Sequence, residues 1–446
     1  MLNKFKTFFI DNKEITVLVF FGILYRLLLH YFLYDNIIIE NDSGSYLNLA
    51  KKIENYNLIG YNGERTLGYP ILLFLGFNSF KVVVFYQHIL GIITSVFFYK
   101  TILNFNFSKR NGLWIVLFIQ SFLNIFFYEA SILVESLTLF LISIVFYFLT
   151  NNYIERQHFK LDFLMSFVFG YLTLTKPFFV FIPFIIYGFI VLNKFKIIRI
   201  INKRIIILFF PLVAYFGSSY LNKINTGSFT STTYLGFNLS QNCVYFAEKG
   251  PKKYKWISEP YAKRRDLILK KDKNSSAAMA IWDTYCGGDY DYKKLSFAKL
   301  SQVMASYSIE TIKSNPKDYF KQVVTKSWLN FWRPTIPINN YQFLSSKKKF
   351  YFTSLWFVQR KFYNIFKYGF IVLVPLYFYT FFKNKVITNQ LILVTIVFAT
   401  SVLQGLVTYG TNARYSFPFE YLMILIGLVF IKNNIKLPTF FNNFLK

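Results

Sequence analysis

Charge is scarce in this sequence, and acid is the scarcer kind. Asp and Glu number 21 against 50 Lys and Arg, and charged residues make up only 16% of the 446, where an ordinary soluble domain has about 25%. A chain so poor in charge and 54% hydrophobic is not disordered, because disorder needs low hydrophobicity and high charge density. It is not a soluble globular protein either, since one or two cores could not hide so many apolar residues. Histidine is nearly missing: His30, His88 and His158 are scattered across the chain and suggest no zinc site. No glycine-rich phosphate loop and no nucleophile–His–acid arrangement is present. The two cysteines, Cys243 and Cys286, are too few for a disulfide-built scaffold. On an oxidising face they could pair and close a loop of more than 40 residues. Two unrelated thiols is an equally good reading, because spacing carries no geometry.

What the chain has in abundance is apolar blocks long enough to cross a bilayer. They fall at 15–34, 80–103, 113–128, 132–150, 163–175, 178–192, 205–221, 362–382, 390–409 and 415–431. The expected fold class is therefore an all-α integral membrane protein of about ten transmembrane helices. The stretch 163–192 is too long for one ordinary span and is broken at Lys176-Pro177, so it reads as a hairpin. The net charge of +29 sits in the loops between spans. There it marks topology and attraction to anionic headgroups better than it marks nucleic acid. Lys194, Lys196, Arg199, Lys203 and Arg204, together with Lys109-Arg110 and Lys383/Lys385, place both termini in the cytoplasm. Lys4, Lys6 and Lys13 precede a long apolar stretch that carries Arg26 and lacks a small-x-small pattern, which reads as an uncleaved first span.

The long extracytoplasmic loops are then 35–79 and 222–361, giving an N-terminal module 1–222, a loop region 223–361 and C-terminal helices 362–446. In the first loop Tyr46, Leu49, Ala50, Ile53 and Tyr56 recur at helical spacing, an amphipathic helix able to lie on the membrane. In the second, Phe297, Leu300, Met304 and Tyr307 form one stripe. Asn315-Pro316 then starts another, through Tyr319, Phe320, Val323, Val324, Ser327, Trp328 and Phe331. These helices are expected to pack on the outer mouth of the bundle.

Five segments carry candidate chemistry. Asp42, in Asn41-Asp42-Ser43-Gly44-Ser45-Tyr46, could act as a general base at the membrane boundary or simply cap the helix that follows. Arg65, in Arg65-Thr66-Leu67-Gly68-Tyr69-Pro70, suits a phosphate oxygen through its planar fork, or snorkels at the interface. Glu135 is flanked by apolar residues, and an intramembrane carboxylate is costly enough to suggest a role. Lys176 lies at the tip of the 163–192 hairpin and Arg414 before the last span. The topology puts all five near one outer plane. There they form either an anionic-ligand site or a salt network that closes the bundle.

The order of these motifs resembles the GT-C glycosyltransferases, in particular the bacterial relatives of protein O-mannosyltransferases and of lipid A aminoarabinose transferase. The resemblance rests on Asp42 after span one, Arg65-x-x-Gly68-Tyr69-Pro70 before span two and Glu135-Ser136-Leu137 opening span four. Lys176-Pro177, Arg414-Tyr415-x-x-Pro418 and the segment from Ser314 to Pro334 complete it. It implies a multi-pass enzyme of the bacterial plasma membrane, working on the extracytoplasmic face. Its donor would be a polyprenyl-phosphate sugar and its acceptor a lipid, a glycan or a protein. By the same resemblance Asp42 activates or orients the acceptor, and Arg65, Lys176 and Arg414 neutralise the donor phosphate. Glu135 matches an acid of open role. Two departures stand out. Ser43 occupies a position where many relatives have a second acid, so a divalent metal is unsupported there and no cofactor is expected. Lys176 replaces a common arginine, a point charge where others have a fork.

Other readings remain. Asp289-Tyr290-Asp291 has the form of a nucleotide-sugar metal motif, but it lies in an outer loop and reads better as a solvated acidic turn. A polysaccharide polymerase or O-antigen ligase would share the lipid-linked substrate without needing Asp42. A lipid or glycan transporter would show inverted repeats and midplane ionisable residues, which this chain does not clearly have.

Overall fold

A computed structural model of the chain describes residues 12–77, 79–156, 158–193, 202–273, 275–337 and 345–434. Lys4, Lys6, Lys194, Lys196 and Arg199, on which much of the sidedness expectation rests, lie outside the described residues.

The described residues are all-helical, with a single isolated β-bridge between Ile38 and Ser131. The first half runs α1 Lys13–Phe32, α2 Ser43–Glu54, α3 Gly68–Leu75, α4 Phe80–Leu103, α5 Lys109–Gln120, α6 Leu123–Glu129, α7 Glu135–Thr150, α8 Phe159–Thr175, α9 Phe181–Leu192 and α10 Phe209–Thr226. A loop region follows with α11 Leu235–Gln241, α12 Lys255–Lys271, α13 Ala280–Cys286, α14 Phe297–Ser314, α15 Pro316–Gln322 and α16 Trp328–Phe331. The chain closes with α17 Ser346–Asn384, α18 Asn389–Val407, α19 Asn412–Ser416 and α20 Glu420–Asn434. Hydroxyls start several of these helices: Ser79, Ser108, Ser296, Ser345 and Thr388 each accept from an amide of the first turn.

Among the described residues six helices are long and apolar enough to cross a membrane, and a seventh candidate is the bent pair α5–α6. Each of the ten expected windows holds a helix, but several are short: α7 has 16 residues and α8 has 17. Most of α7 is buried by its neighbours. A helix sheathed in protein need not match the thickness of the hydrocarbon. The window 113–128 is not one straight span, because α5 and α6 meet at 61°. The bend frees backbone groups that lipid could not satisfy, and side chains take them up. Leu123 N donates to Gln359 Oε1 at 2.9 Å, and Ser121 O accepts from Gln359 Nε2 at 3.1 Å and from the Tyr25 hydroxyl.

At the end of the bundle away from Asp42, Asn104 and Asn389 both donate to Thr150, and Lys432 donates to Asn106 O at 2.6 Å. Arg204 is buried there rather than displayed as a surface charge. Its guanidinium holds Asp162 at 3.0 Å and donates to the carbonyls of Tyr153 and Ile154.

The loop region has its own apolar cluster, in which Phe237, Trp282 and Phe297 stack and Ile257, Met304 and Tyr307 are fully buried. The expected stripe of α14 is thus the one that packs. The next stripe packs in part: across a π-turn at Val323–Ser327, Val323, Ser327 and Phe331 are buried and Trp328 packs on the core, while Phe320 and Val324 are exposed. Nor does α2 lie with its apolar face on lipid. Tyr46, Leu49 and Ala50 are buried, Tyr46 meeting Tyr69 of α3 edge-on at 5.1 Å, and Tyr56 lies beyond the helix end at φ +50°. Cys243 and Cys286 are both free: Cys243 is buried against the Leu239 and Ser308 carbonyls, and Cys286 is exposed. Of the two readings left open by the sequence, the structure shows the unpaired one.

Candidate functional site

Two backbone segments are stitched side by side before any charge is placed. Ile38 N donates to Ala130 O at 3.0 Å and Ile132 N to Ile38 O at 2.9 Å. Ser43 Oγ then donates to Ile132 O at 2.9 Å. These bonds bring the turn carrying Asp42 against the turn that leads into Glu135. Asp42 occupies the N-cap position of α2, yet its carboxylate makes no capping bond. It faces two guanidiniums instead: Oδ1 to Arg65 Nη2 at 2.8 Å and Oδ2 to Arg414 Nη1 at 2.5 Å.

Arg65 is held in a loop folded on itself. Its amide donates to the Tyr61 hydroxyl at 2.7 Å, and Gly63 takes φ +76°, with Thr233 and Asn222 where a Cβ would stand. The guanidinium lies between the rings of Tyr46 and Tyr234, at 4.3 and 4.6 Å, and donates to Ser45 Oγ at 2.7 Å. Three residues on, a Cβ at Gly68 would meet the backbone of Leu174 and Thr175 at 2.6 Å. Only glycine lets α3 start this close to the end of α8, which presents Lys176.

Lys176 follows the last residue of α8 with extended backbone, and Glu135 opens α7. Each suits the helix dipole it meets, a cation at a C-terminus and an anion at an N-terminus. Lys176 Nζ reaches Glu135 Oε1 at 3.1 Å and lies 4.4 Å from the Tyr415 ring. Arg414 Nη2 reaches the same Oε1 at 3.0 Å. Glu135 Oε2 is buried without a hydrogen-bond partner. Arg414 is carried by α19, which Asn412 anchors by donating to Ser327 O at 2.7 Å and Thr408 O at 2.9 Å.

All five candidate residues therefore meet in one cluster, Arg65–Asp42–Arg414–Glu135–Lys176, drawn from five separate parts of the chain. Glu135 and Lys176 are buried, whereas the side chains of Asp42 and Arg414 keep 36% and 24% of their exposure. Burial alone would push the Asp42 carboxyl up, but the guanidiniums of Arg65 and Arg414 outweigh it and hold the group well below the usual carboxylate range. Burial raises two nearby acids, Glu40 and Glu64, with Arg414 and Arg65 respectively opposing it. With both Asp42 oxygens on arginines and Ser43 spent on backbone, the donor set does not suit a divalent cation. Among the described residues no group of three or more His, Cys, Asp or Glu is placed to hold a metal ion.

A second polar network passes unnoticed in the sequence. Arg26 grips Glu129 with two bonds of 2.7 and 2.6 Å, and His88 Nδ1 joins Glu129 at 2.8 Å. His30 and His88, expected to be scattered, meet Nε2 to Nε2 at 2.9 Å. Gln87 Nε2 then donates to the carbonyls of Glu129 and Ser131 at 2.7 and 2.8 Å, which steadies the turn before Glu135. The available signal was position along the helices: His30 near the C-terminal end of one apolar helix and His88 early in the next share a level. Asp289 and Asp291 form an exposed turn, Asp289 paired loosely with Arg264 at 3.4 Å.

No protein-family model matches this chain. No curated protein matches it. Among solved structures it is similar in outline to ArnT from Cupriavidus metallidurans bound to undecaprenyl phosphate, with 11% identity and a TM-score of 0.36 over 93% of this chain and 76% of that one.

Proposed function

We propose that this protein is a membrane glycosyltransferase that moves a sugar from a polyprenyl-phosphate-linked donor to a lipid, glycan or protein acceptor at the extracytoplasmic face. The observation that carries the reading is the bridging position of Arg414, one guanidinium holding both Asp42 and Glu135 inside a cluster of three cations and two carboxylates. Counting these five residues alone, one positive charge is left over, next to the partly exposed members Asp42 and Arg414, while burial favours the uncharged form of the neighbouring acids Glu40 and Glu64. That is the requirement for receiving an anionic lipid phosphate at a membrane surface.

In the reaction the acceptor oxygen attacks the anomeric carbon, and the bond from that carbon to the phosphate oxygen breaks. The acceptor proton goes to Asp42, and the bonding electron pair leaves with the lipid phosphate. Charge grows on that phosphate as it departs, so cations are worth more in the transition state than before it. Asp42 held by two arginines is a weak base. Donor phosphate drawing Arg414 or Arg65 to itself would relieve Asp42 and strengthen it as a base at the moment it is needed. Lys176 meanwhile holds Glu135 in place.

The test is transfer of radiolabelled sugar from polyprenyl-phosphate sugars to membrane acceptors, comparing wild type with Asp42→Asn. Because Asp42 makes no cap bond, the amide costs the helix little. Loss of transfer at normal protein levels is expected. Unchanged transfer would reduce Asp42 to a member of a structural salt network. No transfer by wild type across a broad donor set would sink the glycosyltransferase reading and favour a polymerase, ligase or transporter.

A further inference from the structure

Next to the Arg65 loop lies a cavity of about 130 Å³ between the segment from Ser228 to Gly236 and the start of α14. No Lys, Arg, Asp or Glu lines it. Its character is thus opposite to that of the charged cluster, although the two are physically joined. Thr232 Oγ1 donates to Glu64 O at 2.7 Å and Thr233 Oγ1 to Asn62 O at 3.0 Å, on the loop that carries Arg65. Tyr234, the next residue, covers the Arg65 guanidinium.

The wall has a definite hydrogen-bonding sense. The hydroxyl protons of Thr230, Thr232 and Thr233 are committed to backbone carbonyls, so these oxygens can only accept from a guest. Ser301 Oγ accepts from Gly236 N and Ser228 Oγ accepts from Gln302, which leaves each serine proton available to donate. Accepting and donating hydroxyls thus both line a neutral pocket, a combination that suits a polyol better than an anion. Phe229 adds an apolar face, 57% exposed, and lies over Phe216 of the membrane helix α10 with ring planes 21° apart. A pyranose has one such face of C–H groups and a rim of hydroxyls.

We propose that this cavity is the subsite for the neutral sugar ring of the acceptor, with Phe229 as its platform; the assignment rests on the transferase reading above. It gives the enzyme two chemically distinct compartments. The cationic cluster receives the lipid phosphate, and the hydroxyl-lined pocket holds an uncharged ring one residue away from it. Phe229 stands exposed beside Phe216 of a helix long and apolar enough to cross a membrane, a place that a glycan attached to a lipid would reach.

The experiment is saturation-transfer NMR on the full chain in nanodiscs, with methyl glycosides of glucose, galactose and N-acetylglucosamine as probes. Wild type and Asp42→Asn should both saturate the ring protons of at least one glycoside. Phe229→Ala, a change at an exposed ring, should weaken that signal about fivefold or more at an unchanged melting temperature. Absence of saturation with every glycoside, or a signal that Phe229→Ala leaves intact, would overturn the proposal. Displacement of the glycoside by polyprenyl-phosphate sugar would also overturn it, because the pocket would then belong to the donor's own sugar. Binding needs no turnover, so the two readings fail separately. Glycoside binding without any transfer would count against the transferase alone, and transfer with an acceptor KM untouched by Phe229→Ala would count against this subsite alone.

Discussion

Asp42 and Arg414 stand 372 positions apart in the chain and 2.5 Å apart in space. The guanidinium that takes Asp42 with Nη1 also takes Glu135 through Nε and Nη2, each at 3.0 Å. One planar fork therefore sets the separation of the two acids. A lysine, with a single point of charge, could satisfy one of them only. Arg414→Lys is expected to lower kcat by about 10²-fold or more while protein level stays near normal. A transfer assay on membranes matched for protein content measures it, and full activity would show that the fork is dispensable.

The Arg26–Glu129 pair is buried on both sides, at 6% and 2% side-chain exposure. Breaking such a pair leaves an uncompensated charge, so Arg26→Met should destabilise the protein by about 3–5 kcal/mol. Replacing Glu129 by Gln in the same chain should recover much of that loss. Thermal unfolding in detergent across the two single variants and the double variant gives the coupling, and additive losses would show that the pair is not a unit.

Glu64 gives a pH signature opposite in sign to that of Asp42. Burial raises the Glu64 carboxyl, against the pull of Arg65, so the folded chain holds this proton more readily than the unfolded one. Its contribution favours folding below the ordinary carboxylate range and is lost as pH rises through the raised value. Glu64→Gln should therefore raise the melting temperature at pH 7, by about a degree or two, with the difference shrinking toward pH 4. Asp42, held low, contributes fully above the usual carboxylate range and loses that contribution progressively as pH falls through and below it. A Glu64→Gln gain that does not depend on pH would contradict this account.

The two thiols should differ in reactivity. Cys243 is buried, and burial pushes its thiol up to about 12, whereas Cys286 is exposed. A membrane-impermeant maleimide applied to intact cells should label wild type but not Cys286→Ser, and Cys243→Ser should change nothing. Labelling only after the cells are opened would place the loop region in the cytoplasm and reverse the proposed sidedness.

Much of this fold is legible in the sequence because lipid forces each crossing to be an apolar helix. The ten windows each hold one, and the parity of the spans already put Asp42, Arg65, Glu135, Lys176 and Arg414 on one plane. The two readings of Asp42 were not separable there. Asp at an N-cap and Asp in an ion pair look identical in sequence, and only the position of Arg65 and Arg414 shows which bond is made. The bend between α5 and α6 was invisible for a similar reason. It depends on Gln359 arriving more than 200 residues later to satisfy Ser121 and Leu123.

By itself, then, the sequence determined the all-helical membrane class and the place of each apolar helix along the chain, since hydropathy and helix rise act locally. Of the ten windows expected, six or seven hold helices long enough to cross a membrane among the described residues. Lateral placement was decided only by tertiary structure. Which acid meets which cation, why His30 meets His88, why Cys243 does not meet Cys286 and where the hydroxyl-lined cavity lies all depend on packing between helices remote in sequence. No local period encodes the rotation of one helix about its axis relative to another, and that rotation is what assembles the site.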